Sequence, residues 1–414
     1  MKLFSFLHSA LTPFHATGLL AEQLLKAGYR EVAETEAWSF QPGDKLFLRR
    51  DSGSLAAWIA GSDPTAGFRI AAAHTDSPCW KLKLAGQTRD ASGVVRIGTE
   101  VYGGPIHATW FDRPLSIAGR ILVRFQGGLA ELVVRTPALA VFPNLAIHYN
   151  REVNKGQAYD LGDHLTLLAA LGTAPDLQSW LATEYGFATE DFVSGDLFAV
   201  DAETPVALGQ DGLFLAPRVD NLAGCHAVAE ALIVSDKPSP STRVALFFNH
   251  EEIGSRSSSG ADSAFVPDLL DRLTGALGGS RDDHFRAKAA SFLLSVDAAH
   301  GAHPNWPGQH DAEYSPRLGG GPVLKASARH SYATTAAGEA LVREAARRAV
   351  VTLQSYIMKS TLVPGSTVGP LSTAMAGLSG ADVGIPLWAM HSARETAHLR
   401  DQDAMIALVT ELFG

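Results

Sequence analysis

Short apolar runs that end abruptly in metal-type side chains limit the architectures open to this chain. Run 244–248 leads into Asn249, His250, Glu251 and Glu252; run 68–73 leads into His74, Thr75 and Asp76; run 292–296 leads into Asp297, with His300 just beyond. A further run, 385–390, leads into His391, and Val219, Asp220 and Asn221 open a helix-like stretch over 221–233. Continuous apolar runs bounded by turn signals suit interior strands of a sheet covered on both faces. In open α/β sheets the ligand crevice lies at the carboxyl ends of such strands.

The adjacent carboxylates of Glu251 and Glu252 make a metal the simplest compensation. Desolvating one carboxylate costs roughly several kcal/mol, and two neighbours also repel each other. The stretch His250 to Gly254 is not the HExxH motif, because Gly254 stands where the second histidine must be. Adjacent carboxylates can still divide labour, one holding a metal and the other accepting a proton from water. Asp76 has the spacing of a carboxylate that orients a ligating His74. Asp220 reads equally as a ligand or as the N-cap of the helix it opens. Together His74, Asp220, Glu252, Asp297 and His391 supply enough N and O ligands for two metals if one carboxylate bridges them. Two-metal sites of this kind serve aminopeptidases, phosphatases and nucleases, and residue types alone do not choose among these.

With 414 residues, the chain predicts one large domain carrying an insertion, or two domains. The 34 basic and 43 acidic residues give a net charge of −9, which argues against a nucleic-acid surface and leaves any preference for acidic ligands to a local cation. Cys79 and Cys225 form neither a disulfide framework nor a cysteine zinc site, and suit a reducing cytosol. The apolar run near the start is cut at His8, and no run approaches the roughly 20 residues of a membrane span. The expectation is a soluble, cytoplasmic protein with no membrane and no nucleic-acid partner. No phosphate loop and no G-x-S-x-G elbow is present.

Segment 1–85 reads as helices followed by strands. Strand patterns at 94–97, 115–125 and 129–135 between glycine-rich turns suggest a small antiparallel unit, with helical stretches near 165–171 and 177–184. Alternating strand and helix signals return from about 206. The simplest organisation is a catalytic α/β domain, 1–85 and 206–414, interrupted by a β-rich insertion, 86–205.

The stretches HTDSPCWKLK (74–83), EVYGGPIHATWFDRPLSIAGRI (100–121), LAIHYNREVN (145–154), VDNLAG (219–224), HEEIGSRSSSGA (250–261), DAAHGAHPN (297–305), GPVLK (321–325), GSTVGP (365–370) and MHSARE (390–395) run through nearly the whole chain. In this order they resemble the M18 family of metalloaminopeptidases, the aspartyl aminopeptidases. The M42 aminopeptidases are similar at HTD, DN and EE but lack WFDR and the MHSxRE ending.

The resemblance implies a mixed sheet flanked by helices on both faces, zinc-peptidase-like, with the insertion serving as a dimerisation domain. It implies two divalent ions per subunit, zinc with cobalt or manganese as alternatives. His74 and Asp297 would hold one, Glu252 and His391 the other, and Asp220 would bridge both. Glu251 would be the general base and Asp76 the orienting carboxylate. The implied reaction removes N-terminal Asp or Glu from peptides, with Lys325 facing the substrate carboxylate, His300 and Tyr332 lining the pocket, and His148 reaching a neighbouring subunit. The implied assembly is a tetrahedral dodecamer built from dimers. Rival readings are a broader M42-like aminopeptidase and an inactive, metal-stabilised assembly protein.

Overall fold

The computed structural model describes residues Met1–Gly414. The chain divides into two compact units: Met1–Asp76 with Pro205–Met390 and Glu395–Gly414, and Ser77–Thr204 with the short segment His391–Arg394.

The first unit is built on a nine-stranded sheet. Its strands, numbered here in chain order, are β1 (Arg30–Glu31), β2 (Lys45–Arg50), β3 (Ser54–Ile59), β4 (Phe68–His74), β5 (Thr242–Phe248), β6 (Phe292–Val296), β7 (Val323–Lys325), β8 (Gln354–Tyr356) and β9 (Ser379–Gly384). They lie in the order β1-β2-β3-β5-β4-β6-β9-β7-β8. The central strands β5, β4, β6 and β9 are mutually parallel, whereas β3 pairs antiparallel with β5 and β7 antiparallel with β9.

Strand alternation explains why these runs are apolar throughout. Phe47, Ala57, Ala71, Ala73, Ala245 and Phe247 pack into one core with the helices Leu3–Ser9, Pro13–Lys26, Val219–Val234 and Leu399–Phe413. Their neighbours Leu46, Trp58, Ile70, Ala72, Val244, Leu246 and Phe248 pack into a second core with the helices Phe265–Ala276 and Val368–Ala376. Successive side chains point to opposite faces, so a strand buried on both sides needs apolar residues at every position. No helix is long and apolar enough to cross a membrane.

The register brings the strand ends together. Phe248 is the partner of His74 across β5 and β4, Ser295 pairs with Ala72 across β6 and β4, and Val296 pairs with Val383 across β6 and β9. The residues that follow β4, β5 and β6 therefore emerge at one edge.

The second unit contains a largely antiparallel sheet in which Leu115–Phe125 pairs with both Gly128–Arg135 and Phe192–Asp201. It starts at Ser77 rather than 86, because Cys79–Leu82 pairs with Thr99–Tyr102 and with Phe192–Asp201. Two expectations are corrected. The stretch 165–171 is not helical: Leu167–Ala169 is a strand between Val95–Ile97 and Ala140–Val141, its leucines fitting either pattern until tertiary pairing decides. Run 385–390 is not a strand of the main sheet, in which that position belongs to Ser379–Gly384. Within the run, Pro386–Leu387 pairs with Ala299–His300 and Trp388 bridges to Thr396.

Candidate metal centre

His74 is the last residue of β4 and is buried. Its Nδ1 lies 3.1 Å from the main-chain carbonyl of Asp76. A carbonyl only accepts, so Nδ1 carries the proton and the lone pair of the neutral ring lies on Nε2. That nitrogen lies 3.4 Å from Asp220 Oδ1 and 3.6 Å from Asp297 Oδ1. Three acceptor atoms facing one another in a buried site repel unless a cation stands among them. Burial disfavours a charged His74, yet the carboxylates of Asp220, Asp297 and Asp76 outweigh it and raise its pKa well above the usual imidazole range. The donor set thus fits a divalent metal, which would supply the positive charge that a proton otherwise provides.

Asp297 follows β6 and is anchored by its N–H to the Val383 carbonyl at 2.8 Å. Burial opposes its ionisation, but Lys325 and His74 hold its carboxyl below the usual carboxylate range. Asp220 lies in the first turn of Val219–Val234, where it and Asn221 depart from helical geometry and the peptide joining them is cis. The regular helix therefore begins beyond Asn221, and Asp220 lies in the break before it. Its N–H donates to Glu395 Oε2 at 2.9 Å. The helix start is tied to β6 by Asn221 Nδ2, which donates to the Val296 carbonyl at 2.8 Å. At Gly224 the approach is so close that a Cβ would lie 2.6 Å from the Val296 oxygen.

Glu251 and Glu252 sit on the 3-10 turn Glu251–Ile253, between His250 and Gly254, both in left-handed geometry. Asp76 fixes this turn: Oδ1 accepts the Glu251 N–H and Oδ2 the Glu252 N–H, each at 3.1 Å. Asp76 therefore meets His74 with its main-chain carbonyl, its Oδ1 3.4 Å from the same nitrogen, and clamps the glutamate turn with its carboxylate. Burial pushes the Glu251 pKa up to about 8; His74 opposes the shift, while Asp297, Asp76 and Asp220 add to it. Burial and Asp220 raise Glu252 well above the carboxylate range. Potential ligand atoms of His74, Asp220 and Asp297 lie within 4.8 Å of one another, as do those of His74, Glu251 and Glu252.

The remaining sequence candidates are placed as follows. Lys325 ends β7 and is 2% exposed, its Nζ donating to the carbonyls of Asp297 at 2.9 Å and Ala298 at 3.1 Å. That ammonium stands 5.1 Å from the centre of the buried Tyr332 ring. His300 follows Ala299, its ring 5.7 Å from that of Tyr356. His391 is on the segment grouped with the second unit, where its Nδ1 lies 3.1 Å from the Gly104 carbonyl, so in the neutral ring the proton sits on Nδ1 and the lone pair on Nε2, as in His74. Arg394 secures that segment through Glu203 at 2.8 Å. His148 is exposed in the second unit, beside exposed Ile147 and Tyr149. Beside His74, burial pushes the Cys225 thiol up to about 12, and its Sγ donates to the His74 carbonyl.

Sequence reasoning missed two groups. Glu395, which carries the Asp220 main chain, lay within the MHSARE stretch but offered no spacing signal. Asn221, beside the Asp220 ligand candidate, was read only as the opening of a helix.

Known proteins resemble this chain along nearly its whole length. A family model described as Aminopeptidase I zinc metalloprotease (M18) matches residues 6–413. A probable M18 family aminopeptidase 2 of Borreliella burgdorferi is 36% identical over 412 residues, covering 99% of this chain and 96% of the relative. A chain of the solved Ape4 and Nbr1 complex superposes with a TM-score of 0.94 at 32% identity, over 99% of this chain and 84% of that one. The mApe1 dodecamer of S. cerevisiae shares the fold, with a TM-score of 0.87 at 24% identity over 99% of this chain and 95% of that one. The chain belongs to the M18 family of metalloaminopeptidases.

Proposed function

We propose that this aminopeptidase uses two divalent ions, zinc in the first instance, to remove acidic N-terminal residues from peptides. The observation that carries the reading is the convergence of His74 Nε2 on Asp220 and Asp297, with Asp76 joining His74 to the glutamate turn. His74 and Asp297 are assigned to one ion, Glu252 and His391 to the other, and Asp220 to both. When bound, such ions polarise the scissile carbonyl and lower the pKa of water from about 15.7 toward roughly 7.

The chain's own residues perform the rest. Asp76 keeps the His74 proton on Nδ1 and holds the Glu251 and Glu252 main chain in place. Glu251, not needed as a ligand, takes a proton from the attacking water and delivers it to the leaving amine. Lys325 gives two of its three ammonium protons to main-chain carbonyls and stands 3.7 Å from Asp297 Oδ2, and it is assigned as the cation for a substrate side-chain carboxylate. His300 and Tyr332 line that pocket. The second unit is assigned to dimerisation, with His148 on an exposed apolar turn that meets a neighbouring subunit. A homo-oligomer like the S. cerevisiae dodecamer is the proposed assembly, and the cytoplasm its location.

The test is metal analysis of the purified enzyme together with turnover on aminoacyl substrates bearing Glu, Asp, Ala and Leu. Two ions per chain and a preference for Glu and Asp are expected. Even turnover across the panel refutes the selectivity, and a single ion that suffices for full activity refutes the two-metal assignment.

A further inference from the structure

Asp382 is 0% exposed in the middle of β9, and neither the metal centre nor the residues assigned to substrate use it. A buried carboxylate is costly unless its neighbours compensate it. Its Oδ2 accepts the Ala333 N–H at 2.6 Å, its Oδ1 accepts the Thr367 hydroxyl at 2.6 Å, and its own N–H donates to Thr334 Oγ1 at 2.9 Å. Thr367 is the N-cap of Val368–Ala376. Gly369 passes so near that a Cβ there would lie 2.6 Å from Asp382 Oδ2, which gives the GSTVGP stretch a structural reason.

The same residue lies beside Lys325 in the sheet. Asp382 is the direct partner of Lys325 across the antiparallel β7–β9 ladder. Directly opposed residues in such a ladder project from the same face, so the two charges are neighbours. Lys325 in turn grips the carbonyls of Asp297 and Ala298, and Ala333 is joined to Tyr332. One carboxylate thereby ties the Tyr332–Thr334 segment to a helix start, on the sheet face from which the buried ammonium projects.

We propose that Asp382 is the positioning residue of the Lys325 and Tyr332 pocket wall, holding the ammonium against Asp297 at a fixed depth. It touches no substrate and acts through Lys325. The inference rests on the reading of Lys325 as the cation for an acidic N-terminal residue, and its test includes a readout independent of that reading.

The full-length, metal-loaded enzyme carries Asp382→Asn. Asparagine can keep its oxygen on the Ala333 N–H and turn its amide toward Thr367 Oγ1, so the variant removes mainly the charge opposite Lys325. Expected are a rise of about tenfold in KM for a Glu substrate, kcat within about threefold, and little change in KM for an Ala substrate. Lys325, followed by mass spectrometry after brief acetic anhydride treatment, is expected to be acetylated about fivefold faster, with the other lysines unchanged. Thr367→Val should shift both readouts the same way by less, and it carries the test if Asp382→Asn does not fold. Unchanged Lys325 labelling in a folded variant overturns the proposal, as does an equal loss on both substrates. Wild-type enzyme with no preference for Glu refutes the selectivity reading alone, because labelling does not depend on it.

Discussion

Asp76→Asn isolates the clamp between the histidine and the glutamate turn. In the wild type both carboxylate oxygens accept main-chain N–H groups, of Glu251 and Glu252, at 3.1 Å. Asparagine presents one oxygen and one N–H donor, so one of these bonds is lost and a donor is turned against a donor. A charge-assisted bond lost in a buried site costs about 1.5–3 kcal/mol. Spread over the unfolding entropy of a chain this size, that lowers the thermal midpoint by about 2–4 °C. His74 keeps its bond to the Asp76 carbonyl, a main-chain group the substitution does not touch, so its tautomer survives. Metal affinity should therefore fall only toward the lower end of the roughly 10–100-fold range for lost orienting partners. Differential scanning fluorimetry on the metal-free protein reads the first effect, and competition with a chelator of known affinity reads the second. A variant that melts with the wild type and holds its metal equally well would refute the clamp.

Glu251→Gln should lower kcat by about 10²–10⁴-fold while metal content, measured by mass spectrometry, stays at the wild-type level; near-normal turnover removes Glu251 as the proton carrier. Gly224→Ala places a Cβ 2.3 Å from Asn221 Oδ1 and 2.6 Å from the Val296 oxygen, a main-chain atom with little freedom to move. The variant should lose about 1–3 kcal/mol of stability, and an unchanged melting temperature contradicts the close approach of helix and strand. Asp401 is fully buried, accepts the Gly319 and Gly321 N–H groups at 2.7 Å, and burial pushes its pKa up to about 6 against those bonds. Its folded pKa lies above the unfolded value, so the folded state binds the extra proton and stability is lost as pH rises between about 4 and 6. Relative to Asp401→Asn, whose lost hydrogen bond is independent of pH, the wild type should weaken by about 2–3 kcal/mol across that window. A melting-temperature difference that stays constant from pH 4 to 7 disproves the buried charge.

The strands beside the centre were legible because burial on both faces leaves an unusual local mark. Runs 68–73, 244–248 and 292–296 became β4, β5 and β6 within two residues, each followed by the His, Glu or Asp that the sequence had singled out. Run 385–390 misled because its apolar residues pack without joining the sheet, while the actual strand, Ser379–Gly384, is glycine-rich and carries Asp382. No periodic pattern announces such a strand. A lysine in GPVLK suits a solvated loop as well as a buried strand, yet Lys325 ends β7 and is buried. Three residues of local sequence cannot distinguish these environments, since what buries them is β9 and β8 on either side.

By itself the sequence determined which residues could bind metal and that several follow buried strands, because ligand chemistry and two-sided burial are properties of side chains and short runs. Tertiary structure alone decided that β5 lies between β3 and β4, and that Phe248 stands opposite His74. It also decided that Asp76 reaches across 175 residues to the Glu251 N–H. Those facts depend on hydrogen bonds between segments distant in the chain, whose partners a local pattern does not name. The carboxylates of Asp76 and Asp382 show the difference: their chemistry was visible in one letter, and their roles only in the main-chain N–H groups that the fold brought to them.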